Sequence, residues 1–231
     1  YTVTEAEHEH FTSAVTEGSA TGTIQRGVDH QVTFTNTFVQ TYGSVEVGKV
    51  WVNADGSATA PAGATVTYAL FAEDAATGYT VTLDGHPDAT MPVVTGGYES
   101  AAWTAKFVNL PQKNTATGEL IAYTVKETAA YTGYTSSADE ASEGVANNGS
   151  ITNTQDETEI SVSKAWSNAD GTTTAPEGAT VMFTLYANGV ATDYAVTLDG
   201  TAEATKPATT GGYESEAWVA TFAHLPEKDS T

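Results

Sequence analysis

Three polar residues occupy positions where a β-strand should carry apolar ones. In the stretch 43–51, GSVEVGKVW, the two-residue period of a strand puts Val45, Val47, Lys49 and Trp51 on one face, with Glu46, Gly48 and Val50 on the other. The segment 120–127 likewise aligns Ile121, Tyr123, Val125 and Glu127, and the segment 150–154 aligns Ile151 with Asn153. Lysine, glutamate and asparagine are seldom buried without partners, so three of complementary type on core faces suggest a site. The set suits amide exchange. Burial penalises a charged ammonium and favours the free amine, which is a competent nucleophile. An asparagine side chain offers a carboxamide carbon whose nitrogen can leave as ammonia once protonated. A carboxyl group in apolar surroundings can deliver one proton and take up another. The expected product is a Lys49–Asn153 isopeptide bond with Glu127 as proton shuttle, formed once and without turnover. A fold that holds the groups in register supplies proximity worth roughly 7–11 kcal/mol of barrier.

Such positioning calls for strands, and the chain repeats them. KVWVNADGSATAPAGATVTYALFA (49–72) returns as KAWSNADGTTTAPEGATVMFTLYA (164–187), a constant offset of 164 − 49 = 115 residues. The match continues through YTVTLDG and YAVTLDG, then TGGYESAAWTAKFVNLP (95–111) and TGGYESEAWVATFAHLP (210–226). A period of this length is that of a small domain and too long for a solenoid unit. The beginning of the chain joins the array, since YTVTE (1–5) matches YTVKE (123–127) and TFTNTF (33–38) matches SITNTQ (150–155). Residues 1–39 therefore read as the last part of one repeat, 40–155 as a complete repeat, and 156–231 as the first part of another. The violations recur with the repeats. Lys164 shares a face with Ile160, Val162 and Trp166, Glu5 with Tyr1 and Val3, and Asn36 with Val32, Phe34 and Phe38.

Within the complete repeat, strands are expected over 45–52, 65–72, 79–83, 102–108, 120–127 and 150–154, separated by turn signals such as Asn53-Ala54-Asp55-Gly56 and Asp84-Gly85. Six or seven short strands without helical periodicity predict an all-β fold, an antiparallel sandwich of immunoglobulin-like size, in tandem. The polar stretch 132–149 reads as a long loop and the least ordered part.

Composition narrows the class. The 231 residues carry 29 acidic against 8 basic side chains, a formal charge of −21. No basic patch can form for nucleic acid or an anionic membrane surface. No run is long enough to span a membrane, and the chain opens within a strand-like segment, as a fragment or mature piece would. With no cysteine, stability cannot come from disulfides. No cofactor is called for: there is no phosphate loop, metal cluster or Ser/His/Asp set. Glu7-His8-Glu9-His10 reads as a solvated strand end, and Asn53–Gly56 and Asn168–Gly171 as turns.

The combination K-x-W on a first strand, Y-T-V-x-E on a penultimate strand and I-T-N-T on the last resembles the Cna B-type (CnaB) repeat domains of Gram-positive collagen-binding adhesins and pilins. The resemblance covers essentially the whole chain, as one complete and two partial repeats. It implies that Lys49 and Asn153 are bonded with Glu127 as catalyst. Lys164 then matches the nucleophile of the third repeat, and Glu5 and Asn36 the catalyst and acceptor of the first. It also implies an extracellular protein of the cell surface or cell wall. Plainer readings stay open for the residues: Lys49 could snorkel from an edge or form only a buried ion pair with Glu127, and Asn153 could satisfy backbone in a turn.

Two functions follow as expectations. One is a structural stalk or spacer of a surface adhesin or fibre, whose partners are neighbouring repeats or further copies joined head-to-tail through Lys164, Glu5 and Asn36. The alternative is an adhesin binding module whose loops, 132–149 or those around Tyr98 and Tyr213, recognise a host protein or glycan. An accidental boundary within a longer array explains the partial ends equally well.

Overall fold

The computed structural model describes residues 1–228. Every regular element is a strand. The first segment contributes one antiparallel hairpin, β1 (Phe11–Gly18) with β2 (Val32–Phe38).

The complete repeat is a sandwich of two sheets. Its strands are β3 (Tyr42–Val52), β4 (Val66–Ala72), β5 (Ala75–Leu83), β6 (Gly96–Ala101), β7 (Thr104–Pro111), β8 (Tyr123–Ala129), β9 (Tyr134–Ser136) and β10 (Gly149–Gln155). One sheet runs β6-β7-β3-β10-β9 and the other β5-β4-β8. Alternation governs what each strand buries: β3 sends Val45, Val47, Lys49 and Trp51 inward, and β4 sends Val66, Tyr68 and Leu70. These meet Leu83, Phe107, Leu110, Val125 and Ile151 in one core.

All pairings are antiparallel except one. β10 lies parallel to β3, with Ile151 opposite Lys49 and Asn153 opposite Trp51. Parallel neighbours need a long crossover, and here the rest of the domain supplies it. The first and last strands of the repeat thus become adjacent, although 153 − 49 = 104 positions separate Lys49 from Asn153.

The stretch 132–149, expected as a loop and the least ordered part, is instead built into the fold. Tyr134 and Ala138 are buried, and Tyr134 packs edge-on against Trp51 with ring centroids 5.3 Å apart. Its backbone is tied down by Glu127 N–H donating to Ala138 C=O at 2.7 Å and by reciprocal 2.8 Å bonds between Val125 and Val145. A few apolar anchors spaced among polar residues were enough to order it, which composition alone does not register. Trp103, expected inside a strand, sits in the β6–β7 turn with φ 62°. The segment TGGYES, not expected as a strand, forms most of β6.

The last segment repeats the first half of this sandwich with β11 (Glu157–Ser163), β12 (Val181–Ala187), β13 (Val190–Leu198), β14 (Gly211–Glu216) and β15 (Val219–Pro226). Its sheets are β11-β15-β14 and β12-β13.

Candidate functional site

Lys49 on β3, Glu127 on β8 and Asn153 on β10 converge inside the sandwich. The lysine and glutamate side chains are both 0% exposed, with Lys49 Nζ 3.6 Å from Glu127 Oε2. The ammonium position also faces two backbone carbonyls, of Val50 at 3.3 Å and Ile151 at 3.4 Å. Asn153 is fully buried and donates from Nδ2 to Glu127 Oε1 at 2.8 Å. One carboxylate therefore touches both prospective reactants, a different oxygen on each.

The amide orientation follows from this contact. A carboxylate oxygen can only accept, so the Asn153 nitrogen faces Glu127. Its carbonyl oxygen is then buried without a hydrogen-bond partner, as is the Trp51 indole nitrogen. Unpaired buried polar atoms are costly and uncommon. The unpaired oxygen belongs to the carbonyl that a nucleophile would attack.

Burial acts on the nucleophile. It pushes the Lys49 ammonium well below its ordinary range, to about 8, against the opposing pull of the Glu127 carboxylate. The Trp51 ring lies under the amine, 4.6 Å from Nζ to the ring centroid, and Trp103, Tyr131 and Tyr134 pack edge-on around that ring. Tyr68, fully buried beside Glu127's strand, donates its hydroxyl to Gly48 C=O at 3.3 Å. Burial first, and then the Glu127 charge, raise its pKa far above the usual phenol range, so it stays protonated and is a fixed donor.

Complete burial of the Lys49 side chain removes the snorkelling alternative, and Asn153 lies within strand β10, not in a turn. The structure brings Lys49, Glu127 and Asn153 together. It keeps the related residues of the flanking segments apart. Asn36 donates to Glu5 at 2.6 Å, both exposed, in the first segment. There the Ser13 hydroxyl, and then Asn36, hold the Glu5 carboxyl below its ordinary range. Lys164 is half-buried in the last segment, 4.9 Å over Trp166. Among the described residues it has no carboxylate partner.

Three features escaped the sequence reading. Ser136 donates to Glu127 Oε2 at 2.9 Å. Tyr68 adds its hydroxyl, which the last segment replaces with Phe183 (183 − 115 = 68). Glu99, within TGGYES, is a buried carboxylate accepting the backbone N–H groups of Asp84, Gly85 and Trp103 at 3.0, 3.1 and 2.7 Å. Glu214 does the same for Asp199, Gly200 and Trp218 at 2.8, 3.0 and 2.7 Å. The near-identity of the two segments around it, legible in the sequence, was the available signal. The glutamate pins two turns together in each repeat.

The geometry belongs to a β-sandwich repeat domain carrying a buried Lys–Glu–Asn set. A family model, the Cna protein B-type domain, matches residues 45–154 and 160–231, well over half of the chain. This chain belongs to that family of structural repeats. No curated protein matches it. Among solved structures, it is similar to the two-unit B1B2 repeat of the collagen-binding protein of Staphylococcus aureus. The identity is 22% over 97% of this chain and 47% of that one, with a TM-score of 0.38. A single B1 repeat unit of the same protein matches at 24% identity, covering 82% of this chain and 80% of that one, with a TM-score of 0.33. The chain spans about half the length of the first of these structures.

Proposed function

We propose that this chain is part of the structural stalk of a bacterial cell-surface adhesin or fibre, with a Lys49–Asn153 isopeptide bond as its internal cross-link. The observation that carries the reading is one buried carboxylate contacting both a lysine amine and an asparagine amide. Family membership and the repeat architecture support the extracellular, load-bearing role.

The chemistry balances without a cofactor. The free amine of Lys49 attacks Asn153 Cγ, forming the new C–N bond and a tetrahedral centre. Glu127 takes a proton from the attacking nitrogen through Oε2 and hands one to Nδ2 through Oε1. The old C–N bond breaks and one ammonia leaves, with the glutamate returned to its starting form. Tyr68 and the aromatic wall exclude water, so hydrolysis does not compete. Because β3 and β10 are the first and last strands of the repeat, their bond closes the domain against pulling.

The same chemistry extends to neighbours. β11 lacks on its outer edge the strand that β10 provides to β3, while the β1–β2 hairpin bears Asn36, hydrogen-bonded to Glu5 in the segment before β1. In this proposal a neighbouring repeat or a second copy completes the sheet head-to-tail and presents that pair to Lys164.

A second reading, an adhesin module that binds a host protein, is favoured by one feature. Met91 and Val94 are largely exposed and Val93 is 96% exposed, an apolar tip with no counterpart in the Lys206-Pro207-Ala208-Thr209 segment. The deciding measurement is the intact mass of the denatured chain. Loss of one ammonia in the wild type, absent from Lys49→Ala, is expected. A wild-type mass equal to that of the sequence would reduce Lys49 to an ion-pair partner and end the cross-linking reading.

A further inference from the structure

The geometry points to Ser136 as the residue that positions Glu127 between its two reactants, with Ser13 in the same role for Glu5. The inference rests on the cross-linking reading above and concerns a residue outside the lysine, glutamate and asparagine.

The two pieces of the molecule agree on this arrangement although one is buried and the other exposed. In the complete repeat, Asn153 donates to Glu127 Oε1 at 2.8 Å and Ser136 to Oε2 at 2.9 Å. In the first segment, Asn36 donates to Glu5 Oε1 at 2.6 Å and Ser13 to Oε2 at 2.5 Å. The register is the same as well: Ser136 is directly opposite Asn153, and Ser13 directly opposite Asn36. Glu127 is buried and Glu5 exposed, so burial does not force the pattern.

The serine has a defined job. A carboxylate whose plane is free to swivel shares its oxygens between amine and amide. A hydroxyl fixed on Oε2 leaves Oε1 for the departing nitrogen and holds Oε2 at the amine, 3.6 Å from Lys49 Nζ. Ser136 also accepts the Ala138 N–H at 3.3 Å, and its single hydroxyl proton goes to the carboxylate. Among the described residues Ser13 has no such backbone bond, yet it makes the same contact with Glu5. The shared feature is the serine–carboxylate bond and not the turn beside it.

The test follows ammonia loss by intact mass as the full chain, kept unreacted in urea, is diluted into folding buffer. Ser136→Ala is expected to slow the loss about tenfold to hundredfold, the scale on which misplacing a catalytic group acts. Ser136→Thr, which keeps the hydroxyl, restores most of the rate. The thermal midpoint is compared in the Lys49→Ala background, where the bond does not form, so that slower chemistry is separated from weaker folding. Should the alanine variant not fold, Ser136→Cys keeps the shape with a much weaker donor and is expected to be slow too. A wild-type rate in Ser136→Ala or Ser136→Cys, or a threonine variant as slow as alanine, overturns the inference and leaves the cross-link standing. Absence of ammonia loss in the wild type overturns both.

Discussion

Lys49 and Lys164 start from nearly the same sequence and end in different surroundings. Each stands two residues before a tryptophan, lies over that ring at 4.6 or 4.9 Å, and donates its backbone N–H to a second tryptophan, Trp103 or Trp218, at 2.8 Å. The hairpins around them agree to the residue. Val66 pairs with Leu83 and Val181 with Leu198, and each β-bulge falls at matching positions, Ala69/Phe71 and Thr184/Tyr186. Yet Lys49 is buried and Lys164 half-exposed, and β3 continues to Val52 whereas β11 stops at Ser163. The difference is β8, β9 and β10, which have no counterparts among the described residues of the last segment. Local sequence makes the hairpins; the closing strands turn a lysine into a buried amine.

Removing each lysine tests this contrast with the largest expected effect. Lys49→Ala eliminates the proposed cross-link, which would close a loop of about 100 residues and for which the chain-entropy estimate is ~4.7 kcal/mol. Lys164→Ala should change stability by less than about 0.5 kcal/mol. Thermal unfolding of both variants beside the wild type checks this, and equal losses would mean that the closing strands do not distinguish the two sites.

Glu99 and Glu214 provide the opposite comparison, a device that both regions complete locally. Glu99→Ala and Glu214→Ala each leave three backbone N–H groups without their acceptor and should each cost roughly 2–3 kcal/mol. Denaturant titration of the two variants measures this. A clear cost at Glu99 with none at Glu214 would show that the last segment lacks a cooperative core of its own.

Burial of Lys49 predicts a smaller, graded effect. Its conjugate acid is lowered to about 8, so the free-amine fraction, and with it the rate of ammonia loss, falls roughly tenfold per pH unit below that value and levels off above it. Refolding across pH 5–9 with mass detection reads the profile. A flat profile would mean that the amine is not the titrating nucleophile.

Alternation exposed Lys49, Glu127 and Asn153 because strand geometry assigns faces two residues at a time, and a polar residue on an apolar face stands out. Ser136 could not be found that way. The three matches between the first segment and the complete repeat run at different offsets: 127 − 5 = 122, 136 − 13 = 123 and 153 − 36 = 117. Loops of unequal length hide the serine, and only strand pairing restores its place opposite the asparagine. β9 was missed for a related reason, since three residues in a polar stretch carry too little periodicity to read.

The sequence by itself determined the β class, the tandem repeat, and that Lys49, Glu127 and Asn153 would face the core, because each follows from local period and self-similarity. Tertiary structure alone decided that β10 would lie parallel to β3, that one carboxylate would touch both amine and amide, and that Lys49 would be closed off from water. Those outcomes depend on contacts between residues 26 to 104 positions apart (153 − 127 = 26, 153 − 49 = 104), which no local pattern encodes.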